Sequence, residues 1–367
     1  MTFPIARTAI LEKSLDREKL HHPKPRDSKL LWLDKNENLD PKLNALTGRI
    51  LREIDPLETL AVYPDCAPLY IKLADYLNTP IDSLILSTGS DGVIRSAFEA
   101  FCDSGDVVLF PNPTYAMYEV YARMYGAEVI KVDYQKSECG PSLPSAVFIN
   151  AIKLNRPKLI CLPNPGSPTG TVFTPDEIVK IIQVGTESGA LILLDEAYFP
   201  YYNETAISLV NRFSNLLIIR TFSKAWGMTG LRVGYGVGSR EVTALLHKVR
   251  PNYETNSIGV AVAEKMLDFS AEMEASVQRL NVGRDFFLRE MQSMGFKTFP
   301  AHASFLHVNF GNYAANVHLA LEDKALYRED FGHPSLAGYS RFSSTTQELF
   351  SPLVDCIRTV VGKSPAS

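Results

Sequence analysis

A lysine, two hydroxyl groups and an arginine stand close together in Thr221-Phe222-Ser223-Lys224-Ala225-Trp226-Gly227-Met228-Thr229-Gly230-Leu231-Arg232. The segment follows an apolar run, Leu216 to Ile219, that reads as a buried strand. A lysine there is costly unless its amine is used. Lys224 can form a Schiff base with an aldehyde, while Thr221, Ser223 and Arg232 can hold a phosphate. One small molecule carries both groups, pyridoxal 5'-phosphate. The plainer alternative is a solvated basic loop.

That cofactor needs an acid partner for its pyridine nitrogen, a cradle for its phosphate and a face for its ring. Asp195 ends the apolar run Leu191-Ile192-Leu193-Leu194 and can keep the ring nitrogen protonated. Tyr198, three residues on, can hydrogen-bond the ring's phenolic oxygen; the alternative for Asp195 is a turn cap. Thr88-Gly89-Ser90-Asp91-Gly92 joins a predicted strand, Leu84–Ser87, to a helix starting near Ser90. Free N–H groups at such a start attract phosphate, so Ser90 and Asp91 are candidates for the cradle.

These residues must be held by strands and helices. Leu84–Ser87, Val107–Phe110, Glu128–Val132, Lys158–Leu162, Ala190–Leu194, Leu216–Thr221 and Arg232–Val237 read as strands, several of them apolar throughout, as expected for strands covered on both faces. Helical patterns lie between them. One has a clear start at Thr174-Pro175-Asp176-Glu177, with a capping threonine, a proline and a glutamate three after the cap. The alternation predicts an α/β fold with a mainly parallel sheet. From about Pro251 a long helical stretch, Ser257–Met294, and short strands such as Phe305–Asn309 predict a smaller α+β domain. The expected division is an N-terminal arm at 1–34, containing His21-His22-Pro23-Lys24-Pro25, a large cofactor-binding domain at 35–250 and a small domain at 251–367.

The chain has 367 residues, is 46% hydrophobic and has a formal net charge of −4, which gives no reason to expect nucleic acid or an anionic membrane as partner. No run approaches the ~18 apolar residues that read as a membrane span. The N-terminus does not read as a signal peptide, because Glu12, Lys13, Asp16 and Arg17 interrupt it. The five cysteines and seven histidines show no metal-ligand spacing, so no metal is expected, and a reducing cytoplasm suits the scattered thiols.

The Lys224 segment and Asp195-Glu196-Ala197-Tyr198 resemble those of class I/II aminotransferases, members of the fold-type I enzymes that use pyridoxal phosphate. The resemblance spans nearly the whole chain and is nearest to the histidinol-phosphate aminotransferase group. It implies a fold-type I transferase fold and a homodimer. It also implies transfer of an amino group from an amino acid, glutamate above all, to a small phosphorylated keto acceptor. It adds site residues. Tyr115, in Pro113-Thr114-Tyr115, would stack on the ring. Leu162-Pro163-Asn164-Pro165-Gly166-Ser167-Pro168-Thr169-Gly170 resembles the family's Asn-Pro-Thr-Gly turn, with Ser167 where the asparagine usually stands. Either Asn164 or Ser167 would then meet the ring oxygen. Asn38, in Asp34-Lys35-Asn36-Glu37-Asn38, and Tyr253, in Arg250-Pro251-Asn252-Tyr253-Glu254, would lie beside the substrate. Tyr63, in Tyr63-Pro64-Asp65, would reach the cofactor phosphate of the other subunit. Arg341 would clamp the substrate carboxylate and Arg328, thirteen residues earlier, a substrate phosphate; a surface ion pair is the alternative for Arg328. Glu254 departs from the group's neutral residue, and Asn38 is not followed directly by proline.

Two other functions share these features. A decarboxylase of a phosphorylated amino acid would use the same lysine, aspartate and arginines. A binding module that keeps the fold without turnover would have lost the lysine or gained a DNA-binding domain.

Overall fold

The computed structural model describes residues 6–15 and 26–363; His21-His22-Pro23-Lys24-Pro25 of the expected arm lies outside them. Seven strands form one sheet: β1 (Leu84–Ser87), β2 (Val107–Asn112), β3 (Glu128–Asp133), β4 (Leu159–Pro163), β5 (Leu191–Asp195), β6 (Leu216–Thr221) and β7 (Gly234–Gly238). Their order is β1-β7-β6-β5-β4-β2-β3, and only β7 runs antiparallel to its neighbours. Every residue of β4, β5, β6 and β7 is buried. Two apolar clusters, one on each face, explain why these strands lack alternation.

The expected strand Arg232–Val237 starts two residues late. Arg232 sits in the left-handed region at φ 54, which ends the preceding turn and lets the strand begin at Gly234. Gly234 must be glycine, since a Cβ there would lie 2.3 Å from the Gly89 carbonyl carbon. The capping box at Thr174 is formed, with Thr174 N–H donating to Glu177 (2.9 Å) and Glu177 N–H donating to Thr174 Oγ1 (3.4 Å).

The stretch 257–294 is two helices, not one: α1 (Ser257–Met266) and α2 (Ser270–Ser293), joined by a 3₁₀ turn at Leu267–Phe269. Val260 to Leu280 pack into the large sheet's core, while Phe287 and Met291 of the same α2 join a separate core. That second core surrounds a three-stranded antiparallel sheet, β8 (Lys297–Thr298), β9 (Phe305–Asn309) and β10 (Ser340–Ser343). Leu33 is fully buried in it, and Leu31-Trp32 pairs in parallel with Ala325-Leu326. The segment before Asn36 is thereby anchored to the small sheet. No helix among the described residues is long and apolar enough to cross a membrane.

Candidate active site

The C-terminal ends of β5 and β6 open into a cavity of about 560 Å³, closed on the far side by the small sheet. Lys224, Asp195, Tyr198, Thr221, Ser223, Arg232, Ser90, Asp91, Tyr115, Arg328 and Arg341 all line it. Residues spread over more than 250 positions are thus brought to one place.

Lys224 is partly buried, and its Nζ donates to the Lys35 carbonyl (2.9 Å) and the Asn36 carbonyl (3.1 Å). Burial pushes its amine down to about 8, helped by the positive charges of Arg341 and Arg232 and opposed by Glu37 and Asp195. Asp195 is buried at the end of β5. Its Oδ2 accepts from the Tyr118 hydroxyl (2.6 Å) and its Oδ1 from the Ala197 N–H (2.9 Å). Burial raises its carboxyl to about 6, and the two hydrogen bonds oppose that rise.

Next to them the phosphate cradle takes shape. The helix Gly89–Phe101 begins there with its N–H groups free, and Arg232 lies against its first residue. Gly89 has φ +76, a conformation that favours glycine, and a Cβ there would press on Arg232 Nη2 at 2.9 Å and push the guanidinium away from the helix start. Arg232 Nη1 donates to Ser223 Oγ (3.3 Å) and to the Thr229 carbonyl (3.3 Å). Asp91 has its carboxylate occupied by Tyr115 (3.2 Å) and Tyr121 (2.9 Å), so its contribution to an anion is the helix start and not its side chain. This donor set fits pyridoxal phosphate: an amine, an acid behind a ring-sized space, a helix start with an arginine, and an aromatic at the wall. Among the described residues no group of three His, Cys, Asp or Glu side chains is placed to hold a metal ion.

Three expected contacts require correction. Asn164 does not turn to the cavity, because its amide donates to the Phe173 carbonyl (3.2 Å) and accepts from the Phe173 N–H (2.8 Å). Ser167 lines the cavity instead and accepts from Tyr198 Oη (3.3 Å). Asn38 is buried away from the cavity, donating to the Ala225 carbonyl (2.9 Å) and accepting from the Asp40 N–H (2.9 Å). There it braces the helix Pro41–Arg52, which Asp40 caps. Tyr253 does not line the cavity; it stacks at 4.2 Å on the exposed ring of Tyr63, whose expected place is at another subunit's cofactor. Glu254 does not oppose an anion: it is buried against Arg250 (3.2 Å) and Tyr70 (3.1 Å).

Other residues escape a reading of the sequence. Asn36, at φ 57, donates its amide to Tyr198 Oη (2.8 Å), the hydroxyl that also meets Ser167. Asparagine's tolerance of that conformation is the signal that marks it. Tyr118 follows Tyr115 by three residues at the start of a helix, a spacing that brings both near Asp195. Phe331 has no signal in the sequence. Its ring lies against the guanidinium groups of Arg328 (5.6 Å) and Arg341 (5.0 Å). Arg341 is buried and donates to the Asp34 carbonyl (2.9 Å), whereas Arg328 is exposed and has no ion pair among the described residues.

A family profile described as aminotransferase class I and II matches residues 28–357. A histidinol-phosphate aminotransferase of Caldanaerobacter subterraneus subsp. tengcongensis is 32% identical over 304 residues, 82% of this chain and 84% of its own. The crystal structure of histidinol-phosphate aminotransferase from Sinorhizobium meliloti in complex with pyridoxal-5'-phosphate superimposes with a TM-score of 0.78 at 20% identity, covering 90% of this chain and 91% of that one. L-threonine-O-3-phosphate decarboxylase from Porphyromonas gingivalis shares the fold as well, with a TM-score of 0.75 at 20% identity over 91% of this chain and 100% of that one. The profile match and the sequence relatives assign the activity that the lysine, the aspartate and the arginines point to: the chain belongs to the class I and II aminotransferases and is a pyridoxal 5'-phosphate-dependent transaminase.

Proposed function

We propose that the enzyme moves an amino group from L-glutamate to a small phosphorylated keto acceptor, as the name of its histidinol-phosphate aminotransferase relatives suggests. One observation carries this reading. Arg328 and Arg341 are joined by two backbone hydrogen bonds (3.0 and 2.7 Å), share the ring of Phe331 and line the cavity that holds Lys224. The buried Arg341 suits a carboxylate gripped on two prongs. The exposed Arg328, nearer solvent, suits a phosphate that keeps part of its water.

When bound, the cofactor supplies an aldehyde and an electron-withdrawing ring. Asp195 would hold a proton at the ring nitrogen. The helix start at Gly89-Ser90-Asp91, with Thr221, Ser223 and Arg232, would hold the phosphate, and Tyr115 would cover the ring. Tyr198, supported by Asn36 and Ser167, would meet the phenolic oxygen. Lys224 would take the proton from the substrate Cα and return it at the carbon of the cofactor's aldehyde, across the intervening nitrogen. A pKa near 8 suits that task, because the amine then gives and takes protons near neutral pH without strong bias. Arg341 fixes the carboxylate meanwhile. One cavity serves donor and acceptor in turn, so ping-pong kinetics are expected.

We further infer a homodimer in which Tyr63 reaches the partner's cofactor phosphate. Supporting this, Leu57, Leu60, Val62 and Tyr63 lie within one short segment and are all exposed, from 56% to 76%. Mixing Tyr63→Phe with Lys224→Ala subunits should restore partial activity if the sites are shared. The five unpaired thiols support a reducing, cytoplasmic setting.

The substrate assignment is tested by a screen of keto acceptors with and without phosphate, using glutamate as donor. Preference for a phosphorylated acceptor supports it. Amine and CO₂ formed from a phosphorylated amino acid with no keto acid present would replace it by decarboxylation.

A further inference from the structure

Three basic side chains stand in one row across the small sheet. His307 on β9 is the cross-strand partner of Arg341 on β10, and Arg341 is the bridge partner of Arg328. Residues directly opposed in an antiparallel pair present their side chains on the same face. The two arginines line the cavity; His307 lies behind them and is fully buried. Its ring is stacked on Phe299 at 4.7 Å, with the rings of Phe305 (5.5 Å) and Phe331 (6.0 Å) on its other sides. A leucine or phenylalanine would suit such a space. Instead it holds a polar ring: among the described residues the Pro168 carbonyl is the one partner in reach of His307, neither ring nitrogen closes a hydrogen bond of ordinary geometry, and Nε of the adjacent Arg341 is unpaired as well. Buried polar groups are nearly always paired, so two neighbouring exceptions call for a common reason.

We propose that His307 is the positioning residue of Arg341: its neutral imidazole accepts the Arg341 Nε–H when the guanidinium turns to grip a substrate carboxylate. The two deficits are complementary. A guanidinium has five donors and no acceptor, and a neutral imidazole has one acceptor nitrogen. Burial and the Arg341 charge keep the ring neutral, with its titration well below the ordinary range, and the Pro168 carbonyl, which opposes that shift, can take the ring's one N–H and leave the other nitrogen as acceptor. Arg341 Nη2 is already tied to the Asp34 carbonyl (2.9 Å). With Nε taken by His307, both Nη1 hydrogens and the second Nη2 hydrogen remain, the arrangement for an end-on, two-pronged contact. Arg328, on the other side of Arg341, is untouched by this bond. The inference rests on the reading of Arg341 as the carboxylate clamp.

The test uses the cofactor-loaded enzyme and glutarate, a dicarboxylate that cannot react. Calorimetric titration of wild type, His307→Leu, His307→Gln and Arg341→Lys gives the affinities. His307→Leu should weaken glutarate roughly tenfold, the size of one hydrogen bond to a charged group. It should raise KM for glutamate by a similar factor with little change in kcat. His307→Gln, which keeps an acceptor, should recover most of the loss. In wild-type protein labelled with ¹⁵N-histidine, saturating glutarate should shift one ring nitrogen of His307 towards a hydrogen-bonded acceptor, a readout that needs no variant to fold. Unchanged ¹⁵N shifts, or wild-type affinity in a folded His307→Leu protein, would overturn the proposal. If Arg341→Lys still loses affinity in that case, the carboxylate reading of Arg341 survives. Wild-type glutarate affinity in Arg341→Lys would remove that reading itself.

Discussion

The cavity wall that carries Lys224, Asp195 and Arg232 stands on the ends of fully buried parallel strands, whereas the opposite wall, with Arg328 and Arg341, comes from a small sheet and the segment at Asp34–Asn36. On the first wall the groups that would meet the cofactor ring and phosphate are paired, with Thr114 Oγ1 the one buried exception among the residues lining it. Asp195 has Tyr118 and the Ala197 N–H, and Arg232 has Ser223 and Thr229. On the second, Arg341 Nε and Asn36 Oδ1 are buried without partners, and His307 behind them closes no hydrogen bond of ordinary geometry. A paired, close-packed wall suits a resident cofactor that must keep one geometry through every step. A wall with unspent hydrogen-bonding capacity suits two substrates that enter in turn and must each be gripped and released. The difference separates residues whose loss stops all chemistry from residues whose loss depends on the substrate.

The largest effect is expected on the first wall. Lys224→Ala should reduce both half-reactions by about a thousandfold or more, since it removes the group that carries the proton. Borohydride reduction of wild type should leave the cofactor on Lys224 by peptide mapping; a label elsewhere would break the assignment. Next comes Arg341→Lys. It should lower kcat/KM for glutamate about thirtyfold or more, because a buried charge-assisted contact is worth roughly 2–5 kcal/mol and lysine cannot copy a two-pronged grip. Steady-state kinetics with glutamate and a donor lacking a carboxylate should show the loss only for the former.

Smaller effects test the tuning of the first wall. Asp195, with a pKa pushed up to about 6, is ionised at neutral pH and becomes protonated as pH falls through that value. Cofactor affinity, followed by fluorescence, should therefore weaken below about pH 6. Tyr118→Phe removes a hydrogen bond that favours the ionised form, so the acid limb should move to higher pH, with a severalfold loss of affinity at neutral pH. An unmoved limb would mean that Tyr118 only fills space. Smallest is the effect of pH on loading. The neutral Lys224 amine is the reactive form, so the rate of cofactor capture by apoenzyme should rise with pH and level off above about 8, well below the ordinary lysine value of 10.5.

The first wall was legible in the sequence because its chemistry is local. Lys224, Thr221, Ser223 and Arg232 fall within twelve residues, and Asp195 and Tyr198 follow a strand that must be buried. The central strands β4, β5 and β6 were legible for the same reason, as nearly uninterrupted apolar runs. What escaped depends on distant pairing. Asn164 reads as a ring contact until Phe173, nine residues on, occupies its amide. Asn38 reads as a substrate contact until Ala225 and Ser276 are brought beside it from far along the chain. Periodicity could not show the break at Leu267–Phe269, because α1 and α2 continue nearly the same apolar pattern on either side of the turn. Phe331 and His307 gained meaning only when β9 and β10 set them beside the arginines.

The division between the two arginines is tested most directly by stopped-flow measurement of each half-reaction in Arg328→Ala. The glutamate half-reaction should keep wild-type rate and KM, while KM for a phosphorylated keto acceptor should rise about thirtyfold. Equal damage to both half-reactions would contradict the account, because Arg328 would then be a structural residue and the phosphorylated acceptor would lose its main support.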